Sequence, residues 1–560
     1  MGRRRRKNPS HATNAGAQIM AVQTHARESS IPQSSPQLET DEPRGAAPNP
    51  SDRAVAQADY KQLTVAQIAQ QRFFSEDLTP FEVAKDSKIL VKEVAKWKLE
   101  AKAENNDRYF CHVDEVDKLA QGNKCFVIGR KGSGKTAICQ HFNGLQRFDT
   151  FAEKLTFKNF PFNELYDRPN SQFTPPNQFI SIWKYVIYGT ICRLMMKNEA
   201  VEPEVREALS KLYGDATSLS RRIGHWVQKE FGISLFGIST KFSKEDSKPP
   251  ENWIDTVNFL EDIVLRYAGG AKYFILFDEL DEDYQGVRAE NQRNDYIALL
   301  TSLFKAVQDI RAISESSRNL RIFPIIFLRD DIFDLIYDND KTKWRDFVVD
   351  LDWDIRRIKA VVAFRISRAL DPKCEDILEF NSAWQKLFGA SPIRKKTAHG
   401  NQQVSTFDYI SRTTLLRPRD FVAYLQQCAQ KALEEHSTIS AGIVKRADKA
   451  FSKYLRGEFT DELGTVFPDI SHIFNVISRL RKGRFSAQEF EAAYSAEVER
   501  GNVAKRNIES LLVTLFLFSV VGNITRTGFY FFRFSHKDAT FNVNEPIVLH
   551  RGLFKALEIL

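Results

Sequence analysis

The sequence lacks the residue patterns that indicate a metal centre, a disulfide framework or a membrane span. Its six cysteines include no C-x-x-C pair and its ten histidines form no H-E-x-x-H motif, although zinc sites and disulfide-rich folds depend on such spacings. No apolar segment of a signal peptide follows the basic N-terminus, and the most apolar run, residues 511–521, is too short to cross a bilayer. We therefore expect a cytoplasmic protein with no membrane partner.

Charge of one sign is not in strong excess either. The chain carries 80 basic and 72 acidic residues, a formal net charge of +8, which permits contact with nucleic acid without requiring it. Large apolar residues are scarce in residues 1–60, where Ser, Pro, Gln and Asn are frequent, so this basic and polar tail is predicted to be disordered. Its Arg3–Lys7 cluster is either a solvated segment or a contact for nucleic acid or an acidic surface.

One complete motif is present. Residues 129–136, GRKGSGKT, match the phosphate-binding loop G-x-x-x-x-G-K-[ST], and they lie between an apolar run and a helix-like segment, as this motif requires. The glycines let backbone N–H groups surround phosphate oxygens, Lys135 reaches the β and γ phosphates, and Thr136 can ligate Mg²⁺. ATP and Mg²⁺ are the predicted cofactors. The predicted nucleotide-binding residues of this motif are Gly129, Gly132, Ser133, Gly134, Lys135, Thr136 and Ala137.

An acidic pair follows a second apolar run, residues 272–277. Asp278 is predicted to hold Mg²⁺, and Glu279 is predicted to position and polarise the attacking water. Together with Lys135, Glu279 is a candidate catalytic residue for hydrolysis of the γ-phosphate. Asp281 and Glu282 extend the acidic edge, and they either share this role or form a solvated turn.

Three arginines are candidates for contact with phosphate. Arg329 follows the apolar run 322–328, where a strand end would face the nucleotide. It either stabilises charge on the γ-phosphate, as a third catalytic residue, or forms a salt bridge with a neighbouring aspartate. Arg417 and Arg419 precede a helical segment, and they either reach the nucleotide from a lid or pair locally. The sequence leaves both alternatives open.

Strands alternate with helices after the phosphate-binding loop. Strands are predicted at residues 155–160, 272–277 and 322–328, although Pro324 is unusual in a central strand. Continuous apolar runs are typical of parallel strands that are buried on both faces. The predicted fold class is therefore α/β, a parallel-sheet P-loop NTPase core with its ligand at the carboxyl ends of the strands.

Helical spacing dominates on both sides of this core. Ile89, Val91, Val94 and Trp97 have helical spacing before it, and the pattern after residue 353 is mainly helical, with a loop around Arg394–Lys396. The predicted domains are a disordered tail at 1–60, a helical segment at 61–104, the ATPase core with a helical insertion (202–253) at 105–352, a helical lid at 353–455 and a winged-helix-like domain at 456–560.

The winged-helix prediction depends on helices followed by a hairpin with arms at Asn523–Thr525 and Phe529–Phe534. The domain has a basic cluster that faces either nucleic acid or a protein, and interspersed acids favour a protein partner. His550 is predicted to be structural. The basic residues of the cluster are Arg479, Arg481, Lys482 and Arg484, with Arg526 and Arg533 on the hairpin.

The motifs together resemble those of bacterial P-loop ATPases of the AAA+/STAND type, which are related in plan to origin-recognition ATPases and end in a winged helix. The resemblance is carried by residues 129–136, FDELDE at 277–282, FLRDDI at 327–332 and LRPRD at 416–420, and it extends from about residue 105 to the C-terminus. It implies an additional-strand ATPase core, a helical lid and a nucleotide-controlled switch, often in antiviral defence. No repeat array or fused effector is visible, so sensing and output would come from partners.

The leading hypothesis is an ATP-hydrolysing switch whose lid and winged helix move with nucleotide state. One alternative is an ATP-dependent DNA-binding protein that acts through the winged helix and the basic clusters. A nucleotide kinase is a further alternative, because kinases also carry phosphate-binding loops. A protein partner or effector is expected, and a homo-oligomer and DNA are possible further partners.

Overall fold

The computed structural model describes residues 80–145, 147–156, 174, 177–213, 234–235, 237, 253–280, 290–317, 319–389, 392–397 and 400–559. All described residues lie in one compact unit, Gln62–Leu560. The predicted tail, Asp281, Glu282 and most of the predicted insertion at 202–253 lie outside the described residues.

The first half of the chain alternates helices and strands after three N-terminal helices. The helices and strands up to residue 350 are α1 Pro80–Val94, α2 Asn106–Tyr109, α3 Asp114–Ala120, β1 Phe126–Ile128, α4 Lys135–Gly144, β2 Thr150–Thr156, α5 Ile180–Met195, α6 Pro203–Tyr213, α7 Trp253–Tyr267, β3 Lys272–Asp278, α8 Glu290–Ser316, β4 Arg321–Leu328, α9 Asp330–Asp334, α10 Lys341–Trp344 and β5 Val348–Asp350.

The five strands form one parallel sheet in the order β2-β3-β4-β1-β5. This arrangement confirms the predicted α/β fold class. Strand β4 lies between β1, which leads into the phosphate-binding loop, and β3, which ends in Asp278. It is the additional strand that the resemblance implies. The carboxyl ends of β1 and β3 therefore lie at the same edge of the sheet, one strand apart.

Two strands, β2 and β4, differ from the usual pattern of a buried strand. Strand β2 was expected at residues 155–160, but it begins at Thr150 and its described part ends at Thr156. Its charged residues Glu153 and Lys154 interrupt the apolar pattern of the strand. In the fold, each of them pairs with an opposite charge on a neighbouring element. Pro324 does lie in central strand β4. It costs no ladder hydrogen bond toward β1, because β1 begins only opposite Ile326.

The second half of the chain is mainly helical and carries two small sheets. Its elements are α11 Ile355–Leu370, α12 Phe380–Phe388, β6 Ile393–Thr397, β7 Gly400–Val404, α13 Thr406–Ser411, α14 Pro418–Glu434, α15 Ala441–Leu463, α16 Ile470–Leu480, β8 Arg484–Phe485, α17 Ala487–Glu499, α18 Ile508–Leu517, β9 Val521–Ile524, β10 Tyr530–Phe531 and β11 Ile547–Leu549. The predicted domain boundary at residue 455 falls inside α15. The loop expected around Arg394–Lys396 is wrong, because these residues form strand β6 of a hairpin with β7.

The C-terminal module combines the helices α16, α17 and α18 with a four-stranded antiparallel sheet in the order β10-β9-β11-β8. The predicted hairpin is present: its first arm is β9, which begins two residues earlier than expected, and its second arm, β10, is shorter than expected. Helix α17 was not predicted from the sequence. Its capping box of Ser486 and Glu489 is a local signal that could have located its start.

Alternate residues of the parallel sheet enter two separate apolar cores. Val127 and Leu276 face a core that they share with α1, the lid helices and the C-terminal module. Phe126 and Phe277 face a second core with α5, α7 and α8. Within the described residues, no helix is both long and apolar enough to cross a membrane.

The N-terminal helix α1 packs with the lid helices rather than standing apart. Leu90, Val91, Val94 and Trp97 are buried in the shared core. Ile89, which was expected on the same face, is 41% exposed. The helical period therefore predicted the element correctly but misplaced one position of its buried face.

Candidate nucleotide-binding site

The phosphate-binding loop lies between the carboxyl end of β1 and the first residue of α4. Its backbone needs glycine at three positions. Gly132 and Gly134 have φ values of +81° and +103°, which side chains with a Cβ rarely adopt. A Cβ at Gly129 would lie 2.7 Å from Ser133 Oγ and 3.0 Å from Leu351 Cβ. The loop is therefore compact, and each of these glycines is needed either for its backbone conformation or for close packing.

The side chains of the loop follow its curvature. Lys135 Nζ donates to the carbonyl oxygens of Gly129 at 2.7 Å and Arg130 at 3.0 Å, so the ammonium group lies within the loop. Ser133 Oγ is buried with no hydrogen-bond partner in the described part of the chain. The Ser133 carbonyl accepts a bond of 2.8 Å from Trp353 Nε1, at the start of the lid. Thr136 and Ala137 follow in the first turn of α4.

Asp278 ends β3 with its side chain 4% exposed. Lys154 Nζ, from the adjacent strand β2, donates to Asp278 Oδ2 at 2.6 Å. Burial alone would lower the pKa of Lys154, but the charge of Asp278 holds it above its usual value. Burial, and after it the nearby charge of Asp278, raise the pKa of the Cys139 thiol on α4. Thr136, the predicted metal ligand, lies three residues before Cys139 on α4, so the two residues share one face of the helix.

Glu279 is in a left-handed backbone conformation, with φ of +61°. Non-glycine residues in this region are strained, and such strain is concentrated at functional sites. Its Oε1 forms an ion pair with Lys102 Nζ. Its Oε2 is buried with no hydrogen-bond partner among the described residues. The structure thus places the predicted catalytic carboxylate beside Asp278 and gives it a lysine partner that the sequence did not suggest.

Arg417 pairs locally, as one of the two alternatives predicted, and it also contacts the backbone of the phosphate-binding loop. Its Nη1 donates to the carbonyl oxygen of Lys131 in the loop at 2.8 Å. Its guanidinium group also pairs with Asp420 and Glu462, at 2.8 Å and 3.3 Å. Burial works against this charge, but the two acids raise the pKa of Arg417 further above its usual range. Arg417 therefore joins the lid to the loop from a fully neutralised, buried position.

Arg419 lies against the loop, and Arg329 pairs locally. A Cβ added to Gly132 would be 3.1 Å from Arg419 Cβ, while Arg419 Nη1 lies 3.4 Å from Glu458 Oε2. Arg329 Nε and Nη2 donate to the two carboxylate oxygens of Asp331 at 2.9 Å and 2.6 Å. Of the two alternatives for Arg329, the salt bridge with its neighbour is the contact that the structure contains.

Sequence analysis missed an acidic pair one helical turn apart, Glu458 and Glu462 on α15. Glu462 is 7% exposed, and although burial raises its pKa, Arg417 and other nearby cations hold it below its usual value. Lys131 Nζ lies 3.6 Å from Glu458 Oε2. The variable positions of the loop motif include Arg130 and Lys131. This excess of positive charge is the sequence feature from which acidic partners near the loop could have been predicted.

The loop also contacts the C-terminal module. Arg130 Nη2 donates to the carbonyl oxygen of Phe518, which follows α18, at 3.4 Å. Burial lowers the pKa of Arg130. His550 is buried and accepts a bond of 3.2 Å from the backbone of Gly552, as expected for a structural residue. The phosphate-binding loop is therefore held between the sheet, the lid and the C-terminal module.

The donor set fits a nucleotide phosphate bound with Mg²⁺. The loop provides the left-handed glycines, Lys135, and the unpartnered hydroxyl of Ser133. No group of three or more His, Cys, Asp or Glu side chains within the described ranges forms a metal cage. Mg²⁺ does not need one, because it typically uses one or two protein ligands together with phosphates and water. Thr136 and Asp278 would be those ligands here.

The strand order and the loop together define a P-loop NTPase fold with an additional strand. The family model described as the FunZ-associated C-terminal helical domain matches residues 356–460, from α11 into α15. No curated protein matches the sequence.

Several solved structures are similar over most of the chain. Cdc6p from Pyrobaculum aerophilum is 11% identical with a TM-score of 0.28, over 80% of this chain and 91% of that one. The ORC2 protein from Aeropyrum pernix is 11% identical with a TM-score of 0.35, over 88% and 96%. The ORC1 protein of the same organism, in complex with DNA, is 10% identical with a TM-score of 0.31, over 88% and 95%. Similarities of this size assign no activity or ligand to the chain.

Proposed function

We propose that the chain is an ATP-binding and ATP-hydrolysing molecular switch. One observation carries this proposal: the phosphate-binding loop, at the edge of the sheet where Asp278 and Glu279 end β3, is also bonded to the lid through Arg417. Groups suited to hydrolysis therefore adjoin a contact that hydrolysis can change. The proposal also includes the AAA+ and STAND type of the ATPase and the bacterial origin of the protein.

Each residue of the site has a proposed task. When bound, MgATP supplies the γ-phosphoryl group and the divalent charge that hydrolysis requires. The N–H groups of residues 129–136 and the ammonium group of Lys135 hold the phosphates. Thr136 and Asp278 hold the metal. Glu279 accepts a hydrogen bond from a water molecule and orients it for attack.

In this proposal the arginines mainly connect the lid to the phosphate-binding loop. Arg417 is already bonded to Asp420, Glu462 and the Lys131 carbonyl, so its guanidinium group holds the lid on the loop. Arg419 lies nearer the glycines and keeps only a 3.4 Å contact with Glu458, so it is the better candidate for direct contact with phosphate. Arg329 would first have to leave Asp331.

Two substitutions test the chemistry. Lys135→Ala should abolish binding of a fluorescent ATP analogue, and Glu279→Gln should retain binding but stop phosphate release. Glu375→Gln, on an exposed loop, is the matched control and should retain both. Phosphate release at the wild-type rate from Glu279→Gln would contradict the role of Glu279. Transfer of phosphate to a nucleotide acceptor instead of water would favour the kinase alternative.

The alternative of DNA binding has less support from the winged helix. Most of the predicted basic cluster is neutralised by acids: Arg479 pairs with Glu497, Arg481 with Glu558 and Lys482 with Glu489. The exposed residues of α18 include an acid and a leucine, Glu509 and Leu517. We therefore favour a protein partner for this module. A steep loss of DNA binding with rising salt would support the DNA alternative, because phosphate contacts release counterions.

Assembly and biological role are proposals that rest on the resemblance alone. A nucleotide-dependent homo-oligomer and a place in a bacterial antiviral or other regulatory complex are what it implies. Measurement of mass with and without a non-hydrolysable ATP analogue tests the first. Equal mass in both states would contradict nucleotide-dependent assembly.

A further inference from the structure

The candidate catalytic carboxylate of Glu279 is held in a way that is unsuited to activating water. One of its oxygens is paired with the ammonium group of Lys102, and the other is buried without a hydrogen-bond partner among the described residues. A general base must present an acceptor oxygen to the water from which it takes a proton. In this arrangement one acceptor oxygen of the carboxylate is occupied by Lys102 and the other is buried.

Lys102 belongs to a turn that is anchored to the lid. The turn joins α1 to α2, and its Glu104 pairs with Arg365 of α11 at 2.5 Å, with both side chains 10% exposed or less. Arg108 Nε and Nη2 donate to the carbonyl oxygens of Arg368 and Ala369, at 2.8 Å and 2.9 Å, near the end of the same helix. A movement of α11 would therefore carry the turn with it.

Aromatic packing strengthens this anchorage. The guanidinium carbon of Arg365 lies 4.5 Å from the ring centroid of Trp97 and 4.6 Å from that of Tyr109. The residues on both sides of the turn therefore pack on the same lid side chain. Gln426 Nε2, on α14, donates to the Trp97 carbonyl at 2.8 Å. Lys102 thus extends from a lid-bound segment to the end of strand β3.

The two lysines that contact the acidic pair differ in how easily they can be removed. Lys154 and Asp278 are 8% and 4% exposed and lie on paired strands of the sheet, so their contact is fixed by the core. Lys102 is 44% exposed and lies on a turn. Partly exposed ion pairs contribute little to stability, so a modest movement of the lid is sufficient to break this one.

We propose that Lys102 is a positioning residue that restrains Glu279 in the resting state and releases it when the lid moves. This inference rests on the proposed ATP hydrolysis and adds its control: the position of the lid sets whether Glu279 can face the attacking water. Lys102 thus pairs directly with the proposed hydrolytic carboxylate, and a movement of the lid is transmitted to it through the ion pair of Glu104 with Arg365.

The test compares Lys102→Ala, Lys102→Arg and the control Lys98→Ala in the full-length chain. Lys98 is an exposed lysine of the same segment, so its removal makes the same change in net charge. We expect Lys102→Ala to raise single-turnover hydrolysis at least about threefold, a small part of the roughly 10²–10⁴-fold effect of general-base catalysis. The Kd for an ATP analogue should stay within about twofold, since the binding loop is unchanged. Lys102→Arg should restore the wild-type rate.

A second readout does not depend on turnover. Without nucleotide, amide hydrogen exchange at residues 99–105 and 279–280 should be faster in Lys102→Ala than in Lys98→Ala. Unchanged exchange, or hydrolysis that is unchanged or slower in Lys102→Ala, would overturn the restraint. If Glu279→Gln still stops hydrolysis in that case, the proposed function stands and only this inference fails. If the wild-type chain binds ATP but never hydrolyses it, both fail.

Discussion

At the scale of single residues, Arg417 is the contact on which the lid and the phosphate-binding loop both depend. It is 2% exposed, and its two acidic partners, Asp420 and Glu462, are 0% and 7% exposed. A buried ion pair need not stabilise a fold more than apolar residues would, but removal of one partner leaves the other charge buried and uncompensated. The loss of Arg417 should therefore be felt across the whole lid.

We predict that Arg417→Ala lowers the free energy of unfolding by about 3–5 kcal/mol, because two buried carboxylates lose their cation. Denaturation in urea, followed by circular dichroism, measures this change. The control is Arg446→Ala, which breaks a pair with Glu435 whose side chains are 50% and 33% exposed. Its effect should stay below about 1 kcal/mol. Equal effects of the two substitutions would show that burial of the Arg417 network has no energetic consequence.

The residues that the sequence located are those whose chemistry is local. Gly132 and Lys135 belong to one contiguous motif, and Asp278 follows directly from an apolar strand. Lys102, Lys154 and Glu462 were missed because each acts on a residue far away in the chain, and an isolated charged residue has no periodicity. Only the fold shows which strand or lid helix brings such a charge to the site.

At the scale of elements, the sequence predicted the long apolar strands and missed strands that are polar or very short. Strands β3 and β4 have continuous apolar runs, so their positions were clear. The strands β6 and β7 consist largely of Arg, Lys, Asn and Gln, which hide a hairpin from any hydrophobic pattern. The start of β2 was misplaced for the same reason, because its charged residues are paired in the fold rather than exposed.

Close packing between elements gives a second prediction. The winged-helix module meets the lid where a Cβ at Gly552 would lie 2.2 Å from the Thr413 carbonyl oxygen and 2.4 Å from Leu455 Cδ2. Gly552→Ala should therefore destabilise the chain by about 1–3 kcal/mol or more through overpacking. The midpoint of thermal unfolding measures the effect.

The matched control is Gly457→Ala, in the middle of α15, where an added Cβ would meet nothing within 4 Å. Alanine is favoured over glycine inside a helix by roughly 0.5–1 kcal/mol, so this substitution should stabilise the chain. The two glycine substitutions should thus have opposite signs. Stabilisation by Gly552→Ala would mean that the module does not pack on the lid in solution as it does in the structure.

At the scale of the whole molecule, the lid, α1 and the C-terminal module share one apolar core with one face of the parallel sheet. The helices α5, α6, α7 and α8 cover the other face. The phosphate-binding loop lies on the first side, where Arg130 and Arg417 connect it to the winged helix and the lid. Ligand binding at the loop is therefore expected to affect one side of the molecule and to leave the other unchanged.

We predict that a non-hydrolysable ATP analogue with Mg²⁺ changes amide hydrogen exchange at residues 416–420 and 516–520 as well as in the loop. The reason is that the carbonyl oxygens of Lys131 and Phe518 are bonded to arginines that must adjust when phosphate enters. At a ligand concentration of about 100 Kd, binding should add about 2.7 kcal/mol to the free energy of unfolding. Helix α6, on the opposite side, serves as the internal reference, and Lys135→Ala should abolish every change. Exchange that changes only within residues 129–144 would separate nucleotide binding from the lid and the winged helix, and it would leave an ATPase without the proposed switch.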